Sequence, residues 1–329
     1  MPLKAYSLAG IALVFGIVTT ALYFQYEERQ EEERDAGFKS CQEQYAFVSP
    51  EIDCGTIDEQ ITQISSINNT LESFINEEKH SGRADEVSVF FRDLNTRRWF
   101  GINENINFYP ASLAKLPFTM MIYKVAETNK DILNTPITLD ETDIQLNTGQ
   151  YYQPAETLDT GKPYPLSELL RRMLVFSDNA PVKKLMDISA PFRDPIFVDL
   201  GILFQPEAKT AIERWNITAK NYANLFRILY NISYLRPEYS NAILDELSQS
   251  TFRNTLVAGV PEGTKVSHKF GEASETDPQT DETYTVLNDC GIIYKKDEPY
   301  ILCVMTQGKE HNDLERIIKT VSEEVYQSL

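Results

Sequence analysis

Positive charge, histidine and clustered cysteine are what this chain has least of. Lys and Arg number 31 against 49 Asp and Glu, giving a formal net charge of -18 over 329 residues. Nothing in that balance would neutralise phosphates, which argues against nucleic acid as a partner. The three histidines (His80, His268, His311) and four scattered cysteines form no C-x-x-C or H-x-x-x-H cluster. A zinc hydrolase is thereby disfavoured, and neither a metal nor a cofactor is expected. No G-x-S-x-G turn is present, so His268 is not read as the base of a Ser-His pair.

Long apolar runs are also scarce. The run Ala5 to Phe24 carries no charge, is long enough for a helix to cross a bilayer, and lies between Lys4 and the acidic block Glu27 to Asp35. With positive residues kept inside, the expectation is a single-pass anchor over 1–26, with the rest of the chain outside the cytoplasm. A cleaved signal peptide is the rival reading, but no small-x-small site follows the run cleanly. An acidic stalk is expected over 27–56, and the globular part over 57–329. Cys41 and Cys54 could close a local disulfide outside the cytoplasm. Cys290 and Cys303 fall on neighbouring strands of a predicted hairpin, where buried thiols and a bond both fit.

The periodicities outline the globular part. Ile57, Ile61, Ile64, Ile67, Leu71, Phe74 and Ile75 predict a long entering helix, and Leu314, Ile317, Ile318, Val321 and Val325 a closing one. Val87–Leu94 and Arg97–Ile102 read as a hairpin turning at Asn95 and Thr96. Thr264–Gly271, Thr283–Lys295 and Tyr300–Thr306 read as three successive strands. Between these ends lie helices ending at Phe176, starting after Pro181, and spanning about Thr218–Tyr230 and Pro237–Ser248; about Asp131–Pro165 is expected to be surface loop with short turns. The pattern predicts an antiparallel sheet made from both chain ends, flanked by helices, with an all-helical insertion.

Chemistry gathers at three places. Ser112 to Lys115 spell S-x-x-K, a nucleophile beside a base if both face the same way, with Ser112 expected in the first turn of a helix. Pro117 in that segment predicts a kink or a very early helix start. Ser177, Asp178 and Asn179 form S-D-N between two helices, and Lys269 to Gly271 form K-x-G on a strand.

In this order the three motifs resemble the penicillin-recognising serine hydrolases, in particular class A β-lactamases and low-molecular-weight penicillin-binding proteins. The resemblance covers about Ile57 to Leu329 and implies a β-lactamase/transpeptidase-like α/β fold and an acyl-enzyme on Ser112. Lys115 would be the base, with its pKa lowered by burial and by Lys269. Ser177 would relay a proton to the leaving nitrogen, and Asn179 would bind a substrate amide. Gly271 would let the strand approach, so that the N-H groups of Glu272 and Ser112 form an oxyanion hole.

Two departures stand out. Phe270 replaces the usual hydroxyl that helps bind the β-lactam carboxylate, and no E-x-x-x-N pattern follows S-D-N to activate water. Glu207 and Glu213 lie near that place without matching it. The resemblance implies a β-lactam or a peptidoglycan peptide as substrate. A penicillin-binding peptidase with slow deacylation and a non-catalytic tethered wall-binding module are the alternatives. Oligomeric state stays open.

Overall fold

Along the strand Tyr300–Gly308, Ile301, Cys303 and Met305 point to one side and Leu302 and Val304 to the other, and all are buried. A strand apolar on both faces needs cover on both. That requirement sets the layering of the whole unit.

The computed structural model describes residues 19–26, 29, 57–202, 217–276 and 283–329. Cys41, Cys54, Glu207, Glu213 and most of the apolar amino-terminal run lie outside them. Residues 19–26 are helical, and among the described residues no helix is long and apolar enough to cross a membrane.

Residues Gln63–Leu329 form one compact unit. Helix α1 (Ile57–His80) leads into β1 (Glu86–Asp93), β2 (Trp99–Ile102), β3 (Asn107–Phe108) and α2 (Lys115–Ala126). Then come β4 (Pro136–Thr138), α3 (Glu141–Ile144), β5 (Pro163–Pro165), α4 (Leu166–Val175), α5 (Val182–Ser189) and α6 (Arg193–Asp199). After β6 (Ile217–Thr218), α7 (Ala219–Tyr230) and α8 (Pro237–Ser248), the chain returns as β7 (Val266–Thr276), β8 (Thr283–Ile293), β9 (Tyr300–Gly308) and α9 (His311–Ser328).

The five-stranded sheet has the order β2-β1-β9-β8-β7, with every neighbouring pair antiparallel. Both chain ends therefore share one sheet, and β7 is left at its edge. One face packs on α1 and α9 through Leu71, Val89, Leu302 and Ile318; the other packs on the helical insertion through Phe90, Met305, Leu170 and Phe226. Cys290 and Cys303 stand opposite each other on β8 and β9 and are joined by a disulfide.

The stretch expected to be surface loop with short turns holds more than that. Asp131–Pro165 is not plain loop: β4 pairs with β5, and Asp140 caps α3 in a reciprocal box with Asp143. Elements of three or four residues contain too few positions for a periodicity to register.

Candidate active site

Ser112 belongs to a tight 3-10 turn, Ala111–Ala114, and α2 begins only at Lys115. This corrects the expectation of an α-helical first turn around the serine. It also accommodates Pro117, which falls in the first turn of α2, where no N-H is needed. Ala111 takes a left-handed φ of 49°, a conformation that persists only where neighbours hold it. The Tyr222 hydroxyl donates to Leu113 O at 2.8 Å, and Asn288 Nδ2 donates to Tyr109 O at 3.0 Å. From the other side β7 presses in at Gly271. A Cβ there would stand 2.6 Å from Pro110 O, 2.8 Å from Leu113 N and 3.0 Å from Ser112 N. Only glycine lets the sheet edge meet this turn, and the meeting brings the β7 backbone beside the Ser112 amide.

Lys115 is buried beneath the turn, and so is Lys269 from the strand. Lys115 Nζ donates to Ser177 O at 2.5 Å, to Asn179 Oδ1 at 2.6 Å and to Ser177 Oγ at 3.2 Å. Lys269 Nζ donates to the same Ser177 Oγ at 2.9 Å and to Phe270 O at 2.8 Å. A single hydroxyl thus bridges two buried amines. Burial drives the Lys115 amine down to about 7 against the pull of Asp178 and Glu272; burial and then repulsion from Lys115 lower Lys269. Among the described residues no hydrogen bond links Ser112 Oγ to Lys115, whose donors are taken by the 177–179 loop.

That loop is held from three sides. Ser177 has a left-handed φ of 54°, and Asp178 is wholly buried with Arg172 Nε at 3.0 Å. Asn147 clamps the loop twice: its Nδ2 donates to Asp178 Oδ1 at 2.8 Å, and its Oδ1 accepts from Asn179 N at 2.7 Å. Gln150 Nε2 adds a bond to Ser177 O at 3.2 Å. Asn147 and Gln150 lie in the stretch read as loop. Their only sequence signal is a polar turn around Gly149, which says nothing of what they hold. Arg172 lies among the apolar residues of the α4 stripe, a pattern that carries no sign of its role in holding Asp178.

A cavity of 380 Å³ opens over this arrangement, walled by Ser112, Lys115 and Asn179 with Phe118, Met186 and Glu272. The family model described as "Beta-lactamase enzyme family" matches residues 67–329. The chain belongs to that family. It is a serine hydrolase of the β-lactamase/transpeptidase type. Solved structures of similar fold include an acyl-enzyme complex of a PBP-A mutant with penicillin G, at 18% identity, 80% of this chain, 96% of that one and a TM-score of 0.65. The TLA-1 extended-spectrum β-lactamase is similar at 17% identity, 79% and 98% coverage and a TM-score of 0.66. A β-lactamase from Xanthomonas campestris gives 18%, 79%, 98% and 0.67. No curated protein matches the chain.

Against the family pattern, the third motif keeps its lysine and glycine but changes the space between them. The Phe270 ring lies 4.4 Å from Lys269 Nζ and stacks on Phe252 at 4.0 Å, with Tyr152 edge-on to both. The three rings belong to the core shared with α1 and α9, and Phe270 offers no hydroxyl at the third motif. The Glu272 side chain accepts from Tyr151 N at 2.8 Å, and His311 Nε2 lies 3.7 Å from its other oxygen. His268 faces away from Lys269, as strand alternation requires, and is buried against Asp289 at 2.8 Å.

Proposed function

We propose that this chain is a membrane-anchored, extracytoplasmic acyl-enzyme hydrolase that attacks an amide carbonyl of β-lactam or peptidoglycan-peptide type through Ser112. The observation that carries the reading is the convergence of Lys115 and Lys269 on Ser177 Oγ, under the cavity that Ser112 opens into. Neutral Lys115 takes the Ser112 proton as Oγ forms its bond to the carbonyl carbon. The Ser112 and Glu272 amides receive the developing oxyanion. As the C–N bond breaks, Ser177 passes a proton from the lysine pair to the leaving nitrogen, and water later releases the acyl group. Asn179, already fixed on Lys115, orients the substrate amide. The anchor is supported by the uncharged run Ala5 to Phe24 and by the exposure of Leu22, Tyr23, Phe24 and Tyr26 on the helical residues 19–26.

Deacylation is the slow step in this proposal. Glu272, the acidic side chain among the described residues that line the cavity, is engaged by Tyr151 N, and no E-x-x-x-N pattern follows S-D-N. Without a placed base, water attacks an ester slowly. A second reading, efficient β-lactam turnover, is favoured by the fold shared with TLA-1.

Intact-protein mass spectrometry after incubation with benzylpenicillin tests both. A penicilloyl adduct that persists for minutes and disappears in Ser112→Ala is the expected result. Turnover of a chromogenic cephalosporin without adduct would favour the second reading, and labelling that survives Ser112→Ala would overturn both.

A further inference from the structure

On a chain of net charge -18, a cleft of 280 Å³ far from the three motifs in sequence is lined, among the described residues, by three cations and no acid: Arg92, Lys220 and Arg227, with Asn221 and Asn224 beside them. We propose that this cleft binds a phosphate group.

Its walls come from two elements that fold for other reasons. Arg92 is near the end of β1, on the same side as Phe90, which the alternation of the strand turns toward the helical insertion. Lys220 and Arg227 lie seven residues apart on α7, two turns along one face. Each of the three is half-buried.

Among the described residues, none of the three has a carboxylate within ion-pair distance. Lys220 Nζ lies over the Trp99 ring at 4.3 Å, and Trp99 stacks on Phe90 at 5.6 Å. Arg227 Nε donates to Asn224 Oδ1 at 2.8 Å. Burial, and then repulsion from Arg227 and Arg97, depress the Arg92 guanidinium. Elsewhere the basic residues find acids readily: Arg83 and Arg316 on Glu78, Arg171 on Glu168, Lys124 on Glu127. In a chain with 49 acidic residues, three partly desolvated cations together with no acid among the described residues carry a desolvation cost that an external anion would offset. Guanidinium forks match tetrahedral phosphate oxygens, the ammonium adds a point charge, and the asparagine amides can donate to the remaining oxygens. Phe90, Leu200 and Ala223 give the cleft an apolar floor, which suits a phosphate ester better than the bare ion.

Helix α7 also carries Tyr222, whose hydroxyl holds the Ser112 turn. The proposed ligand would therefore touch the helix that positions the nucleophile, yet the proposal does not depend on what Ser112 acylates.

Calorimetric titration of the full chain in phosphate-free buffer provides the test, with inorganic phosphate, glycerol 3-phosphate and dihexanoyl phosphatidylglycerol below its micelle concentration as probes. Saturable, salt-sensitive binding is expected, weakened at least tenfold in Arg92→Gln and in Arg227→Gln and unchanged in Ser112→Ala. Preference for glycerol 3-phosphate points to a free ester, and preference for the phosphatidylglycerol to a lipid headgroup. In the absence of probe both arginine variants should melt no lower than the native chain, because each removes a repelling charge. Failure of all three probes to bind overturns the proposal, as does undiminished binding by the Arg92→Gln/Arg227→Gln double variant.

Discussion

An ammonium ion moved from water into a protein interior loses hydration that only several good acceptors can replace. Lys115 has three acceptors and still sits at about 7, because burial outweighs the attraction of Asp178 and Glu272. The sign of the consequence follows from linkage. Below about pH 7 both the folded and unfolded chains hold the proton, and the penalty is felt in full. Between about 7 and the ordinary lysine value of 10.5 the unfolded chain holds a proton that the folded one has released, so this group makes stability rise with pH. The base form grows over the lower edge of that window. Acylation of Ser112 by a β-lactam should therefore climb about tenfold per pH unit below 7 and level off above it. Lys115→Met should lower acylation by about 10² to 10⁴ without lowering the melting temperature at pH 5, where the native lysine is a buried charge. Stopped-flow acylation and thermal melts across pH check both; a pH-independent rate would remove Lys115 as base. Much of this was legible in the sequence, since S-x-x-K and K-x-G name the two amines. The bridging geometry at Ser177 was not, because it depends on a left-handed residue that nothing in the residue type announces.

At the level of elements, the site is where a sheet edge, a 3-10 turn and an interhelical loop converge, and each was legible to a different degree. β7 showed in its alternation, and Gly271 marked the point of close approach. The helices α4 and α7 were legible, yet nothing in local pattern marks the polar groups that make them useful, the Arg172 guanidinium and the Tyr222 hydroxyl. The segment from 131 to 165 was least readable. Its Asn147 supports the 177–179 loop through a clamp whose partners are more than thirty residues away, and local pattern cannot encode a pairing set by tertiary packing. Replacing Asn147 by alanine leaves Asp178 Oδ1 short of one donor and the Asn179 amide without its acceptor. The cost of such unmade buried bonds is about 1–3 kcal/mol each. Because the loop carries Ser177 and Asn179, the loss should fall on function as well as stability. The expected outcome for Asn147→Ala is a melting temperature lower by several degrees and an acylation rate reduced about 10- to 100-fold. An unchanged acylation rate in a folded Asn147→Ala protein would show that the loop keeps its shape without the clamp.

Over the whole molecule, both ends of the globular unit enter one sheet and one of its cores, so the late part of the chain must return to complete what the early part begins. The apolar share of that closure was readable from the stripes of α1 and α9. Its polar share was hidden, because Glu78, Arg83 and Arg316 look like solvated charges on helices and loops. Glu78 is in fact buried, and Arg83 and Arg316 close on it from the loop after α1 and from α9. Burial alone would push its carboxyl up. The hydrogen bonds and charges of Arg83 and Arg316 overcome that and hold it at about 2. A carboxylate with a depressed folded-state pKa contributes stability that is complete above its ordinary 4.5 and is lost as pH falls toward 2. Both arginines are substantially exposed at 36% and 43%, so salt and solvent screen part of the effect. Glu78→Gln removes the charge but keeps the shape. It should lower the melting temperature at pH 7, while between pH 4.5 and 2 its curve should converge on that of the native chain. Parallel curves across that interval would mean that the carboxylate stays protonated or unpaired, and that α1 and α9 are joined by apolar packing alone.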